Sequence, residues 1–307
     1  MIDHAEHDAF HPVNSDDPAW IETLWFPFWI PERNLSVYPR IVFQPNQGRY
    51  SGSVAIWSGA DDLHFEGPLA GQFAQLQDLG DLRALALPEG LRIDCLAPAQ
   101  RFRLRYEHAD CSLDVTFDAL ANPVYPAPDD SPGMFSGHLD QHGAMTGRLR
   151  LGDDAFEVQC WTVRDRSWGP RVVRSDLRLG NAHGTDSDQA FFAYIQQDEA
   201  GQEVIRGGSL LRDGTHANLV DGLRSTVWEE GWPSQLRIEA RDSLGRSLEA
   251  LGTCRNRRSV VANPELYAVL NLVEWRVGES RLWGENHDVW SRTAWLAAGR
   301  GPLESGN

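Results

Sequence analysis

The feature that most constrains this chain is a repeated alternation of apolar and polar residues, broken at short intervals by Gly- and Asp-rich turns. The stretch CSLDVTFDA places Cys111, Leu113, Val115 and Phe117 on one face and Ser112, Asp114, Thr116 and Asp118 on the other. That period of two is the pattern of a half-buried antiparallel strand. SQLRIEARDSLGRSLEALGT repeats it on both sides of the turn DSLG, and MTGRLRLGDDAFEVQCWTV reads as a hairpin turning at Gly152-Asp153-Asp154. Further turns are expected at DEAGQE (198–203) and RDGTH (212–216). Helical patterns are scarce: residues 67–87 fit one short helix, and 263–275 fit a helix or a strand. The chain is therefore predicted to be all-β, a sandwich or a barrel. One ligand-holding barrel takes about eight strands, and the sequence signals roughly twice as many, so two units are expected. Their seam is placed after the Gly169-Pro170 stop, near the turn-rich RLGNAHGTDSD, giving domains 1–178 and 179–307.

Composition narrows the partners. A net charge of −16 leaves no massed basic surface to neutralise phosphates, which argues against nucleic acid and anionic membranes. All 28 residues of the Lys/Arg class are arginine, so Schiff-base lysines and phosphate-loop lysines are excluded. Cys95, Cys111, Cys160 and Cys254 form no C-x-x-C pair and are expected as buried free thiols. The start, MIDHAEHDAFH, lacks a basic region followed by an apolar one, and no run approaches the ~18 apolar residues of a membrane helix. A cytoplasmic protein without membrane insertion is expected.

The segment AWIETLWFPFWIPERN crowds Trp20, Trp25, Phe26, Phe28 and Trp29 between prolines that forbid a regular helix. It reads either as a lid or plug packed on a barrel mouth or as the wall of an apolar ligand pocket. Metal ligation is not expected. His4, His7 and His11 lie in an acidic terminus expected to fray, and the glycines around His138 and His142 disfavour a helix that would align them.

One stretch concentrates chemistry: WTVRDRSWGPR (161–171) holds one carboxylate, three arginines and two tryptophans. Asp165 between Arg164 and Arg166 could be no more than a surface ion-pair cluster worth at most about 1 kcal/mol. Strand parity sends Asp165 and Trp168 to opposite faces. A bulge before Gly169-Pro170 is expected to bring them to one side.

SGHLDQHGAMTGRLRL and then DAFEVQCWTVRDRSWGPR resemble the family of carotenoid 1,2-hydratase (hydroxyneurosporene synthase), the AttH-like proteins and kievitone hydratase. Asp165, Trp168 and Gly169 match that family's D-x-x-W-G element, and the nearer likeness is to an uncharacterised bacterial branch reading RDRSWGPR. The close match spans about residues 135–172, with EWRVGESRLWGENHDVW (274–290) resembling that branch's C-terminal strand pair. Where carotenoid hydratases read D-H-x-W-G, this chain has Arg166, so no histidine role carries over to that position. The resemblance implies two lipocalin-like barrels side by side, with a site near their junction. It also implies cofactor-free addition or elimination of water, or isomerisation, on a hydrophobic terpenoid-like or phenolic molecule.

The chemistry is physically sound. An apolar pocket can hold a carboxyl group as a proton donor, and tryptophan faces stabilise cationic character by about 1–2 kcal/mol. Nearby arginines would instead keep Asp165 ionised, as a base. The expected catalytic residues are Asp165, Trp168 and Arg166. Trp161, Trp25, Trp29, His138 and Arg171 are expected around the substrate, with Glu274 and Glu285 as second carboxylate candidates whose alternative is a solvated strand face. No cofactor is expected, and a homodimer is left open. The competing reading is a carrier of an apolar ligand, whose pocket would need no buried carboxylate.

Overall fold

The computed structural model describes residues 4–76, 79–126, 136–198, 200–300 and 303. The described chain divides into two compact units, one formed by 4–57, 63–125 and 136–171 and the other by 58–62, 126 and 172–300. Both are antiparallel β-structures, as the alternation predicted.

The first unit opens with β1 (Trp20–Trp25), β2 (Phe28–Ile30), β3 (Leu35–Gln44) and β4 (Arg49–Ser58). Four short strands follow: β5 (Asp62–Glu66), β6 (Ala74–Gln75), β7 (Ala84–Ala86) and β8 (Arg92–Ala97). The long strands β9 (Arg101–His108), β10 (Cys111–Ala119), β11 (Gly137–Leu151) and β12 (Asp154–Pro170) complete it. Their order in the sheet is β5-β4-β3-β1-β12-β11-β10-β9-β8-β7, with β2 on β3 and β6 on β4. In β10 the odd-numbered residues Cys111 to Phe117 are buried, as their spacing required.

The aromatic N-terminal segment is neither a lid nor a plug. β1 is an interior strand between β3 and β12, and Trp20, Trp25, Phe26, Phe28 and Trp29 are all buried. Each such burial contributes roughly 1.5–3 kcal/mol, which two short strands flanking a proline can collect without a helix. No helix forms among the described residues of 67–87, where turns carry β6 and β7 instead. Its apolar residues are too widely interrupted by glycine to make a continuous helical stripe.

The second unit begins with β13 (Arg178–Thr185), β14 (Gln189–Gln197), β15 (Glu203–Arg212), β16 (Thr215–Glu229) and β17 (Trp232–Asp242). It continues with β18 (Ser247–Cys254), β19 (Arg258–Asn263), β20 (Leu266–Val277) and β21 (Ser280–Ser291). β18 pairs with β20, which closes eight of these strands into a barrel and leaves β19 beside it. The ambiguous stretch 263–275 is thus mostly strand. The core of the barrel is apolar, with Phe191, Ile238, Ala250, Val273, Trp275 and Leu282 packed together. Helix α1 (Arg292–Ala297) follows, capped by the Ser291 hydroxyl, which accepts from the Ala294 amide. Among the described residues, no helix is long and apolar enough to cross a membrane. The four thiols are free, Cys111 and Cys160 buried and Cys95 and Cys254 half-buried.

Candidate active site

The site is built by one hairpin. Leu151 pairs with Asp154 across Gly152-Asp153, and Gly152 takes the left-handed conformation (φ +60°) that such a tight turn favours. The ladder then runs without a register shift for the whole length of β11 and β12, setting Asp140 opposite Asp165 and His138 opposite Ser167. β1 and β3 extend both rows: Asp165 faces Trp25, which faces Arg40, and Ser167 faces Thr23. Residues directly opposite in an antiparallel pair share a face. One face therefore carries Asp140, Asp165, Trp25 and Arg40 in one row, and His138, Ser167 and Thr23 in the next.

Within these rows His138 Nε2 lies 3.0 Å from Asp140 Oδ1 and 3.2 Å from Asp165 Oδ2. Asp140 is enclosed, with its side chain 3% exposed, whereas Asp165 is 18% exposed. Burial pulls the imidazole toward its neutral form, but the Asp165 and Asp140 carboxylates outweigh it and raise His138 to about 10. His138 is accordingly an imidazolium at neutral pH. Arg171 donates to Ser167 Oγ at 2.9 Å, and Ser167 Oγ lies 2.7 Å from Thr23 Oγ1. Burial and the nearby Arg40 lower the Arg171 guanidinium to about 10, while Asp165 pulls the other way. Tyr38 continues the aromatic surface, with ring centroids 5.4 Å from Trp25 and 5.6 Å from Trp57.

The opposite face of the same strands is the core face, and it holds different chemistry. Arg164 reaches Asp8 at 3.0 Å and Gln141 at 2.5 Å, and Arg166 pairs with Glu22 and donates to the carbonyls of His7 and Ala9. Both arginines are fully buried, and desolvation lowers both, Arg166 to about 10. Trp168 stacks on His11 with a centroid distance of 3.7 Å and on His7 at 5.1 Å. Gly137 is required opposite it, because a Cβ there would fall inside the indole.

The expected bulge is absent, so Asp165 and Trp168 stay on opposite faces and Trp168 does not line the Asp165 cluster. Arg166 is likewise turned away from Asp165, its fork spent on Glu22 and two backbone carbonyls. The expectation that His4, His7 and His11 sit in a frayed terminus is also corrected. A 3-10 turn over His4–Asp8 is tied down by the Asp8–Arg164 pair and the Ala99 amide, which donates to Asp8 at 2.6 Å.

The structure does bring Asp165, His138, Arg171 and Trp25 together. Trp161 is on the same face four residues along β12, opposite Ala144, and Trp29 is buried on β2 opposite Ser36. Glu274 belongs to the second unit, where it pairs with Arg255 and Arg281. Glu285 is buried there against His287, with Oε2 3.0 Å from Nε2. Asp140 was missed. Its signal was the hairpin turn itself, since pairing outward from Gly152-Asp153 carries Asp140 to Asp165.

His138, Asp140 and Asp165 each offer a ligand atom within 4.8 Å of the others, a spacing that could grip a metal ion. A metal-binding histidine must be neutral, and two carboxylates hold this one protonated. A divalent cation would have to displace that proton to bind here. Elsewhere in this unit, an open groove of about 540 Å³ is lined by Arg103, Asp114, Thr146, Arg148, Glu157 and Gln159, and none of the expected site residues lines it.

A family profile described as "Domain of unknown function (DUF7064)" matches residues 4–285. No curated protein matches the sequence. Among solved structures, an AttH-type protein from Nitrosomonas europaea is 12% identical with a TM-score of 0.63, over 88% of this chain and 91% of that one. CghA, solved with Sch210972, is 12% identical with a TM-score of 0.52, over 89% and 88%. Kievitone hydratase from Nectria haematococca is 9% identical over 90% and 89%, and its TM-score of 0.48 adds nothing to the argument. At these identities the likeness is one of fold. It is an AttH-like fold, and none of these three is a carotenoid hydratase.

Proposed function

Because this chain belongs to the DUF7064 family, whose description assigns no activity, we propose a function from the site itself. The protein is a cofactor-free lyase (hydratase or dehydratase) or isomerase acting on a hydrophobic, phenolic or terpenoid-like small molecule. The observation that carries this reading is the placement of His138 between Asp140 and Asp165, in rows that continue into Trp25. A protein that only carried an apolar ligand would have no use for a histidine and two carboxyl groups gathered there, since burying polar groups is costly.

Asp165 is the most open of the three and is the group that meets the substrate. Beside an imidazolium it accepts hydrogen bonds, so it acts first as a base. It takes a proton from a substrate carbon, the C–H pair becomes the new double bond, and the C–O bond breaks. Returned to the departing hydroxide, the same proton releases water. In an isomerisation no C–O bond breaks; the C–H pair instead displaces a neighbouring conjugated double bond, and the proton returns to the carbon at its far end. Hydration is the reverse. Negative charge that develops on a substrate oxygen faces the cations of His138 and Arg171. Alkene protonation is the less favoured route, because an imidazolium raised to about 10 is too weak an acid for an unactivated double bond. Substrates whose proton is acidified by a carbonyl or phenol fit better, and Trp25 and Tyr38 suit their rings.

Incubation with a panel of hydrophobic phenols, enones and prenyl alcohols in D2O tests the reading. Solvent deuterium should enter at least one compound with the wild type and not with Asp165→Asn. Equal incorporation with both proteins would remove Asp165 from the chemistry.

A further inference from the structure

The end of the described chain makes a contact that the proposed reaction does not use. The Arg300 guanidinium carbon lies 3.6 Å from the ring centroid of Trp228, 4.3 Å from that of Trp290 and 4.6 Å from that of Trp295. The rings come from β16, β21 and α1, so three separate elements converge on one cation. Two of the walls are set by other packing: Trp290 and Trp295 meet edge to face at 5.9 Å and are buried with Tyr267 and Val269. Those walls stand without Arg300.

The charges around it balance in sign. Burial disfavours the Arg300 cation; Asp288 and Glu203 favour it, and Arg224 and Arg178 disfavour it. Burial leads, and the net effect lowers the Arg300 guanidinium, so the three ring faces are what its cation has in direct contact. Ring faces select cations that shed water readily: guanidinium and quaternary ammonium are weakly hydrated, whereas a primary ammonium is not. We propose that Trp228, Trp290 and Trp295 form a binding site for weakly hydrated organic cations, which the chain's own Arg300 fills as a tethered occupant. Arg300 is then a latch that such a cation displaces.

The test uses the full chain with Arg300→Ala and Arg300→Gln, each checked for an unchanged far-UV circular dichroism spectrum. Tryptophan fluorescence is followed while ethylguanidinium or tetramethylammonium is added, with NaCl at equal ionic strength as the control. Both variants should respond saturably, with a Kd on the order of 1–10 mM for a caged cation of this size. Adding Trp228→Ala to Arg300→Ala should abolish the response, and the wild type should bind at least tenfold more weakly than the single variants. A folded variant with no saturable response overturns the proposal. So does a wild type that binds as tightly as Arg300→Ala, because Arg300 would then not be the occupant.

Discussion

The two units carry the same pair of devices and use them differently. Each sets a histidine and a carboxylate two residues apart on one strand, His138 with Asp140 on β11 and Glu285 with His287 on β21, both at 3.0 Å. Each also locks arginine against acids on its core face. In the second unit the neighbours across from Glu285 and His287 on β20 are Leu272 and Leu270. The pair there is closed to solvent, with Glu285 Oε2 held on His287 Nε2 and two leucines beside it. In the first unit the neighbouring strand delivers Asp165 instead, and this second acid is partly open to solvent. A histidine–carboxylate pair alone is architecture. A second acid on the same Nε2 turns it into a loaded proton site.

The arginines differ in the same sense. Arg224 has two acids, Glu203 at 2.9 Å and Asp288 at 2.6 Å, and they outweigh burial to push its guanidinium above the usual range. Arg164 and Arg166 have one acid each, and burial lowers both. The first unit thus holds its charge under more electrostatic stress than the second.

The largest expected break in this comparison is catalytic. Asp165→Asn should keep the fold and lower kcat/KM by about 10²–10⁴-fold, while Glu285→Gln should leave it within about tenfold of the wild type, because its histidine meets no second acid. Equal losses would erase the distinction between the two pairs. Next comes stability. Glu22→Gln leaves Arg166 buried without its acid and should destabilise by about 3–5 kcal/mol, whereas Asp288→Asn leaves Glu203 on Arg224 and should destabilise by about 1–3 kcal/mol. Denaturant midpoints and slopes decide the order.

A third difference lies in pH. The folded value of His138, about 10, is above its ordinary 6.5. Its contribution to stability is therefore fully present below about pH 6.5 and is lost as pH rises toward 10, by at most about 5 kcal/mol. Unfolding curves at pH 6 and 9.5 should show that loss, and Asp165→Asn should reduce it. The smallest effect is expected at Trp168, which stacks on His11 away from Asp165. Trp168→Phe should destabilise by roughly 1 kcal/mol and change kcat/KM less than threefold, so a large catalytic loss would reconnect the two faces.

Strand content and the β11–β12 hairpin were legible because alternation and a Gly-Asp turn are local signals. Asp165, His138, Trp25 and Arg171 were each recognisable as residue types with chemistry. Their meeting depends on register, which the turn at Gly152-Asp153 specifies but which must be counted outward to reach Asp140. Parity correctly separated Asp165 from Trp168, and the bulge invoked to reunite them has no counterpart in the ladder. The anchoring of His4–Asp8 was not legible at all. An acidic terminus looks like a frayed one until a buried Arg164, more than a hundred residues away in sequence, supplies the partner for Asp8.

The central claim is that two carboxylates share one His138 proton. Histidine ring chemical shifts followed by NMR from pH 5 to 11, assigned with His138→Gln, test it without any substrate. The claim predicts that His138 titrates near 10 in the wild type and falls by about one unit or more in Asp165→Asn. A His138 that titrates near 6.5 in the wild type, or whose value does not move when Asp165 is neutralised, would contradict it.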